Sequence, residues 1–279
     1  MAIDTDAKTL SWLRRFGYLT SDTPTPAQLE AAVVKMQEIY GLTTDGWAGP
    51  VTRKAMNMFR CSQRDANILM VTNPNAVTDV TTRWQKTEIT YAVDPGMILA
   101  DNRAECLSII RAGFNYFAPL TGLTFNEEDD YDAADIKITA ETKASGMDGV
   151  GNILALSGMP NGITDRPLRT IFDKDEPWQL QPNGPGIIFQ AVWMHELGHL
   201  LGLSHSSSPD DLMSPYYSPT MLFPQKHDKQ RLALLYGIPY VEGSDNVQLP
   251  VGAYSTSGIF VVRHDGGIAI NLREIVPTT

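Results

Sequence analysis

His195-Glu196-Leu197-Gly198-His199-Leu200-Leu201-Gly202-Leu203-Ser204-His205 decides the reading of this chain. On a helix, positions i and i+4 share a face, so His195 and His199 present two imidazoles to one ion. Gly202 has no Cβ and can take φ > 0, which ends the helix and turns the chain back until His205 reaches the same point. Three neutral imidazoles leave one of zinc's four tetrahedral positions open for water, the arrangement of a catalytic rather than a structural site. Glu196 stands beside that water, where a carboxylate can take its proton and deliver it to a leaving amine. The spacing therefore points to metal-assisted peptide hydrolysis. The plainer alternative is an amphipathic core helix packed through Val192, Leu197, Leu200 and Leu201, with incidental histidines. In a chain of this composition the five fixed positions coincide by chance with a probability on the order of 10⁻⁵.

The composition narrows the partners. The 279 residues carry 22 Lys+Arg against 32 Asp+Glu, a formal charge of −10. With no basic run, the chain lacks the electrostatic footprint of a nucleic-acid or anionic-membrane binder; a protein or peptide substrate and bivalent metals fit it better. Two cysteines, Cys61 and Cys106, cannot build a disulfide scaffold, and no apolar run approaches the ~18 residues of a membrane span. The first residues, MAIDTDAKTLSW, have acids in place of a basic n-region and no apolar run behind them, so no secretory signal is legible.

Around the motif the pattern divides the chain. Residues 9–60 read as three short helices. Leu10, Leu13, Phe16 and Leu19 form the first apolar face, Leu29, Val33, Met36 and Ile39 the second up to Gly41, and Val51, Ala55 and Met58 the third. Periodicity dissolves over 66–82, which reads as a linker. A strand at Glu88–Val93, a helix from about Asn102 to Ala118, and strands in LTFNEE and ADIKITA follow. Residues 141–187, dense in Gly, Pro and Asp, read as loop-rich, helical patterns return at 187–203 and 226–237, and GIFVV and GIAINL around HDGG give a hairpin signal. The fold class reads as α+β, strands and helices preceded by a small three-helix domain.

On these residues the chain resembles the metzincin metallopeptidases and, within them, the matrixins (matrix metalloproteinases). Met213 looks like the family's Met-turn, Ser206 follows the third His as in matrixins, and Pro215 and Tyr217 match the Pro-x-Tyr wall of the S1′ pocket. RWQKTEITYAV (83–93) is similar to the first strand of the catalytic domain, ADIKI (134–138) to its third, and LALLYG (232–237) to its closing helix. The resemblance implies a twisted mixed sheet with an active-site helix, and a monomeric, extracellular endopeptidase with catalytic zinc. Its substrate would lie extended along an edge strand near Ile153 to Leu156.

It also implies calcium. MDGVGNILALSG and FDKDEPW match two family loops, in which Asp148, Asp173 and Glu176, with the carbonyls of Gly149, Gly151 and Ile153, would form an all-oxygen shell. A solvated acidic loop is the alternative, as it is for Glu127–Asp132. The histidines of the family's structural zinc fall at Leu156 and Ile171, so one zinc is expected, not two. His227 and His264 match no ligand position and read as surface or hydrogen-bonded histidines, and Cys106 as core.

The first unit, MQEIYGLTTDGWAGPVTRKAMNMF, resembles a peptidoglycan-binding-like domain, the fold of matrixin propeptides. It runs into Phe59-Arg60-Cys61-Ser62-Gln63-Arg64-Asp65, where the family's cysteine switch has Pro-Arg-Cys-Gly-x-Pro-Asp. Arg, Cys and Asp are kept, while Phe59, Ser62 and Arg64 replace Pro, Gly and Pro. Cys61 in the fourth zinc position would exclude the water and hold the enzyme latent, with an Arg60–Asp65 ion pair bracing the loop. The expected organisation is 1–65 propeptide, 66–82 activation segment cut by an activating protease, 83–240 catalytic domain and 241–279 a short β-rich extension. The alternative makes the first unit a cell-wall-binding module on an active peptidase.

Overall fold

The computed structural model describes residues 6–65, 83–143, 147–162, 167–181, 185–238 and 240, and beyond them the backbone of four short strands between 254 and 277. The linker expected at 66–82 lies outside the described residues.

Three helices open the chain, α1 (Ala7–Arg15), α2 (Pro26–Ile39) and α3 (Pro50–Met56). The Asp6 side chain accepts from the Thr9 N–H to start α1, and Thr25 with Gln28 forms a capping box ahead of Pro26 in α2. Leu13, Leu29, Val33, Met36 and Ala55 close a small core between them. Two details differ from the sequence reading. Leu19 reaches this core from a loop, because α1 stops before Gly17 at φ +87°. Val51 is exposed, because the Gln37 amide donates to Thr52 Oγ1 at 3.0 Å and turns position 52 inward, and Met58 is exposed because α3 has ended at Met56.

The remaining elements are β1 (Arg60–Cys61), β2 (Glu88–Val93), α4 (Arg103–Thr121), β3 (Thr124–Glu127), β4 (Ile136–Glu141), β5 (Ile153–Ser157), β6 (Leu168–Asp173), β7 (Trp178–Gln179), β8 (Ile187–Ile188), α5 (Phe189–Leu200) and α6 (Lys226–Tyr236). Past these come β9 (Tyr254–Ser255), β10 (Phe260–His264), β11 (Ile268–Leu272) and β12 (Val276–Pro277). β10 and β11 pair antiparallel, the hairpin expected around HDGG.

Six strands form one mixed sheet in the order β1-β5-β6-β4-β2-β3. β6, β4, β2 and β3 run parallel, β5 is antiparallel to β6, and β1 from the N-terminal unit lies parallel to β5 on the outer edge. The stretch 141–187 is therefore not merely loop. It supplies β5 and β6, with Leu156 opposite Ile171 in their register. β5 is buried at four of its five positions, so it lacks the polar alternation that marks a half-buried strand.

Helix α4 also runs past its expected end, through Pro119 to Thr121, and closes on Gly122 at φ +69°. Helices α4 and α5 pack at Gly113, where a Cβ would meet Trp193 Nε1 at 2.3 Å, so only glycine admits the indole. Trp193, Phe114 and Phe172 then form an aromatic core that holds α5. All twelve residues of α5 are buried.

Candidate metal centre and the occupied cleft

Helix α5 ends at Leu200, and Gly202 at φ +95° carries the chain back, with its N–H donating to His199 O and that of Leu203 to Gly198 O. The turn brings His205 to the two helical histidines, with ring centroids 4.8–5.4 Å apart. Cys61 completes the group: one ligand atom from each of Cys61, His195, His199 and His205 lies within 4.8 Å of the others, and all four residues are buried. This is the one such cluster among the described residues.

The outer nitrogens fix the tautomers. His195 Nδ1 lies 2.7 Å from Leu212 O and His199 Nδ1 2.7 Å from Leu203 O. A carbonyl oxygen only accepts, so each Nδ1 carries its proton and each Nε2 keeps a lone pair. His205 Nδ1 lies 2.9 Å from Asp65 Oδ1. All three Nε2 atoms are buried without a hydrogen-bond partner. Three buried lone pairs aimed at one point would be costly unless a cation takes them, which is the fit expected of a zinc site. Burial, then the neighbouring imidazole, holds His195 down at about 3, and burial keeps His199 and His205 below their ordinary value. All are neutral at pH 7, the form that ligates. Burial also pushes Glu196 up to about 7 and, with the Glu196 carboxylate beside it, raises the Cys61 thiol. A cation among these atoms reverses that balance and favours thiolate.

Cys61 arrives on a strand that fills the cleft. The Arg60 N–H donates to Asn152 O, that of Ser62 to Ala155 O, that of Cys61 to Pro215 O, and that of Tyr217 to Phe59 O, at 2.8–3.1 Å. Residues 59–62 are thus held between the edge of β5 and the 215–217 wall. Ser62 in place of glycine is accommodated, since it is not among the residues with positive φ. Arg60 is 1 % exposed, and its guanidinium binds Asp65 at 2.7 Å and sits 3.5 Å from the centroid of Phe16. Tyr18 and Tyr40 hydroxyls both donate to Asp65 Oδ2. Burial alone would raise the Asp65 carboxyl, but Arg60 and His205 hold it well below the usual carboxylate range. Phe16 also packs with Met147 and Ile153, which seats the N-terminal helices on the loop before β5.

The other expected residues fall around this centre. Met213 packs against Gly198 of α5, and its carbonyl accepts from Ser206 N–H at 2.7 Å. Pro215 and Tyr217 line a recess with Leu154, Val192, Leu212 and Met221, and the Tyr217 hydroxyl accepts from Ile188 N–H at 2.9 Å. In the acidic loop, Asp173 accepts from Gly149 N–H at 2.9 Å and Glu176 from Gly151 N–H at 2.5 Å. Asp148 Oδ1 and Glu176 Oε2 are buried without partners. Burial, aided by Asp173 and Asp148, raises Glu176 to about 7. Glu127 pairs with Arg111 and Asp132 with Lys137, as in a solvated charged surface. His227 bonds Asp211 at 2.6 Å, whereas the side chain of His264 lies outside the described residues. Cys106 is buried in the main core.

Three contributions escape the sequence reading. Asp228 accepts from Leu212 N–H at 2.8 Å and Met213 N–H at 3.3 Å, so α6 fixes the Met213 turn. Its place three residues after Gln225 marks it as half of a capping box, the one signal that could have found it. Gly198 is required by its contact with Met213. Asp65, legible as a partner of Arg60, also reaches His205.

Comparison with known proteins agrees with this geometry. Residues 83–237 match the family model described as Matrixin, and residues 11–56 the one described as Putative peptidoglycan binding domain. The chain is 31% identical over 262 residues to matrix metalloproteinase-25 of Mus musculus, covering 83% of this chain and 42% of that relative. It is 32% identical over 229 residues to matrix metalloproteinase-16 of Homo sapiens, covering 74% and 37% respectively. To matrix metalloproteinase-C of Caenorhabditis elegans it is 27% identical over 238 residues, covering 77% and 39%. The chain spans about two fifths of the length of these relatives. No helix among the described residues is long and apolar enough to cross a membrane.

Proposed function

The chain belongs to the matrixin family, and on that premise we propose that it is a zinc endopeptidase made as a latent zymogen. The observation that carries this reading is the joining of Cys61 to the three histidines in one buried cluster. His195, His199 and His205 would hold the metal through Nε2, with Cys61 as fourth ligand in the latent chain. Zinc bound there supplies a Lewis acid that polarises a carbonyl and eases deprotonation of water.

The chain's own residues do the rest. Glu196, fully buried with neither carboxylate oxygen bonded, is free to take a proton and pass it to the leaving amine. The backbone of β5, now used by Arg60 and Ser62, offers the same hydrogen bonds to an extended peptide. The recess walled by Pro215 and Tyr217 receives a substrate side chain, and its apolar lining favours an apolar one. Residues 1–65 serve as propeptide and 66–82 as activation segment. Residues 83–240 form the catalytic domain and 241–279 an extension. Removal of the first two by an activating protease vacates the cleft.

Calcium belongs to the same reading: the orphaned oxygens of Asp148 and Glu176 beside Asp173 support a cation in the acidic loop. Leu156 opposite Ile171 supports one zinc, because apolar side chains cannot ligate a second. An extracellular location and monomeric state rest on the family resemblance.

The test is casein hydrolysis by the full chain. Cys61→Ala should act without processing while the parent chain stays silent, and adding Glu196→Gln should cost about 10²–10⁴-fold. Equal activity with and without Glu196 overturns the mechanism. A parent chain as active as Cys61→Ala overturns latency and favours the second reading, a wall-binding N-terminal module. That reading is supported by the match at residues 11–56 and predicts pull-down on insoluble peptidoglycan.

A further inference from the structure

The three histidines are not held alike. His195 and His199 send Nδ1 to Leu212 O and Leu203 O, backbone groups of the fold that bears the zinc ligands. His205 sends Nδ1 to Asp65, which lies 140 residues away and belongs to the segment expected to be removed. Both side chains are fully buried, so no water substitutes for this contact in the intact chain. The carboxylate is itself overdetermined, with Oδ1 taken by Arg60 and His205 and Oδ2 by Tyr18, Tyr40 and Arg60. Such a network fixes the position of Oδ1, and through it the plane and tautomer of the imidazole.

We infer that Asp65 is a positioning residue for the metal: the N-terminal domain holds His205 with its proton on Nδ1 and its lone pair on Nε2, and so makes the latent chain a tighter zinc holder. The inference rests on the zinc reading above and adds to it. In the cysteine-switch reading the N-terminal segment acts on the metal only through Cys61. Here it acts on the metal twice, once through sulfur and once through the far nitrogen of a histidine. A carboxylate on the outer nitrogen of a ligating imidazole raises its basicity and orients it, and loss of such a partner costs about 10–100-fold in metal affinity. The latent chain is then the form best suited to acquiring and keeping zinc, and release of the N-terminal domain loosens one ligand while opening the fourth position.

The test is zinc affinity of the full chain, measured by competition with a chromophoric chelator, in the parent and in Cys61→Ala, each with and without Asp65→Ala. Asp65→Ala should weaken zinc binding by about 10–100-fold in both backgrounds. In isotope-labelled zinc-loaded protein it should also shift the His205 Nδ1–H resonance while leaving those of His195 and His199 in place. If Asp65→Ala leaves a buried Arg60 and fails to fold by circular dichroism, Arg60→Met with Asp65→Leu removes both charges together and replaces it in the same cycle. A loss seen only when Cys61 is present overturns the inference, because the effect then runs through sulfur. Unchanged affinity and an unchanged His205 resonance overturn it as well. The parent reading fails separately, and the inference with it, if His199→Ala binds zinc as tightly as the unaltered chain.

Discussion

Gly198 faces Met213 so closely that a Cβ at position 198 would stand 2.4 Å from the sulfur. Met213 is fully buried and packed in the main core, so its side chain cannot swing clear. Gly198→Ala should therefore overpack the floor of the metal centre, costing about 1–3 kcal/mol. Thermal unfolding of the full chain reads this directly. An unchanged melting temperature would show that Met213 has room to move.

The turn that holds Met213 depends on α6. Asp228 is fully buried and accepts from the backbone of Leu212, Met213 and Gln225. Asp228→Ala leaves those donors buried without partners, at roughly 1–3 kcal/mol for each N–H that water cannot reach. His195 loses support at the same time, since its Nδ1 partner is Leu212 O. Zinc affinity should fall together with stability, and a variant that melts lower but binds zinc normally would separate the two.

Arg60 joins the two parts of the chain. It is buried with Asp65 and lies over Phe16, with Tyr216 of the cleft wall 5.9 Å away. Arg60→Ala leaves Asp65 as a buried charge without its main partner, a change that typically costs about 3–5 kcal/mol. Residues 59–65 should leave the cleft, and limited proteolysis should cut near them faster than in the parent chain. Equal cutting rates would mean that the β1–β5 pairing holds the segment unaided.

The acidic loop gives a pH-dependent signature. Glu176 sits near 7 in the folded chain against 4.5 for the ordinary group, because burial and the neighbouring carboxylates oppose its charge. Between those values the folded chain binds more protons than the unfolded one, so stability falls as pH rises from about 4.5 to about 7. Chelator-treated protein should show this decline by denaturant titration. Glu196, also near 7, contributes to the same slope, so calcium or Glu176→Gln should reduce it rather than abolish it, and a slope that neither one changes would argue for a solvated loop.

Much of the centre was legible in the sequence because it is local. The i, i+4 spacing of His195 and His199 is fixed by helix geometry, and Gly202 is the one residue type suited to the left-handed turn that follows. Capping at Thr25 and the apolar faces of α1 and α2 are likewise local. β5 was expected only through the family resemblance, because a strand buried at four of its five positions loses the alternation that marks a strand, and β6 was read as part of a loop-rich stretch.

What the sequence by itself determined is the ligand set and the geometry that a single turn of backbone can enforce. Tertiary structure alone decided which carboxylate reaches which imidazole. Asp65 meets His205 only because β1 pairs with the edge of β5 and Phe16 packs on Met147 and Ile153. Gly198 and Gly113 are required for the same kind of reason. Each touches a side chain brought up from another part of the fold, and no local pattern encodes who that neighbour is.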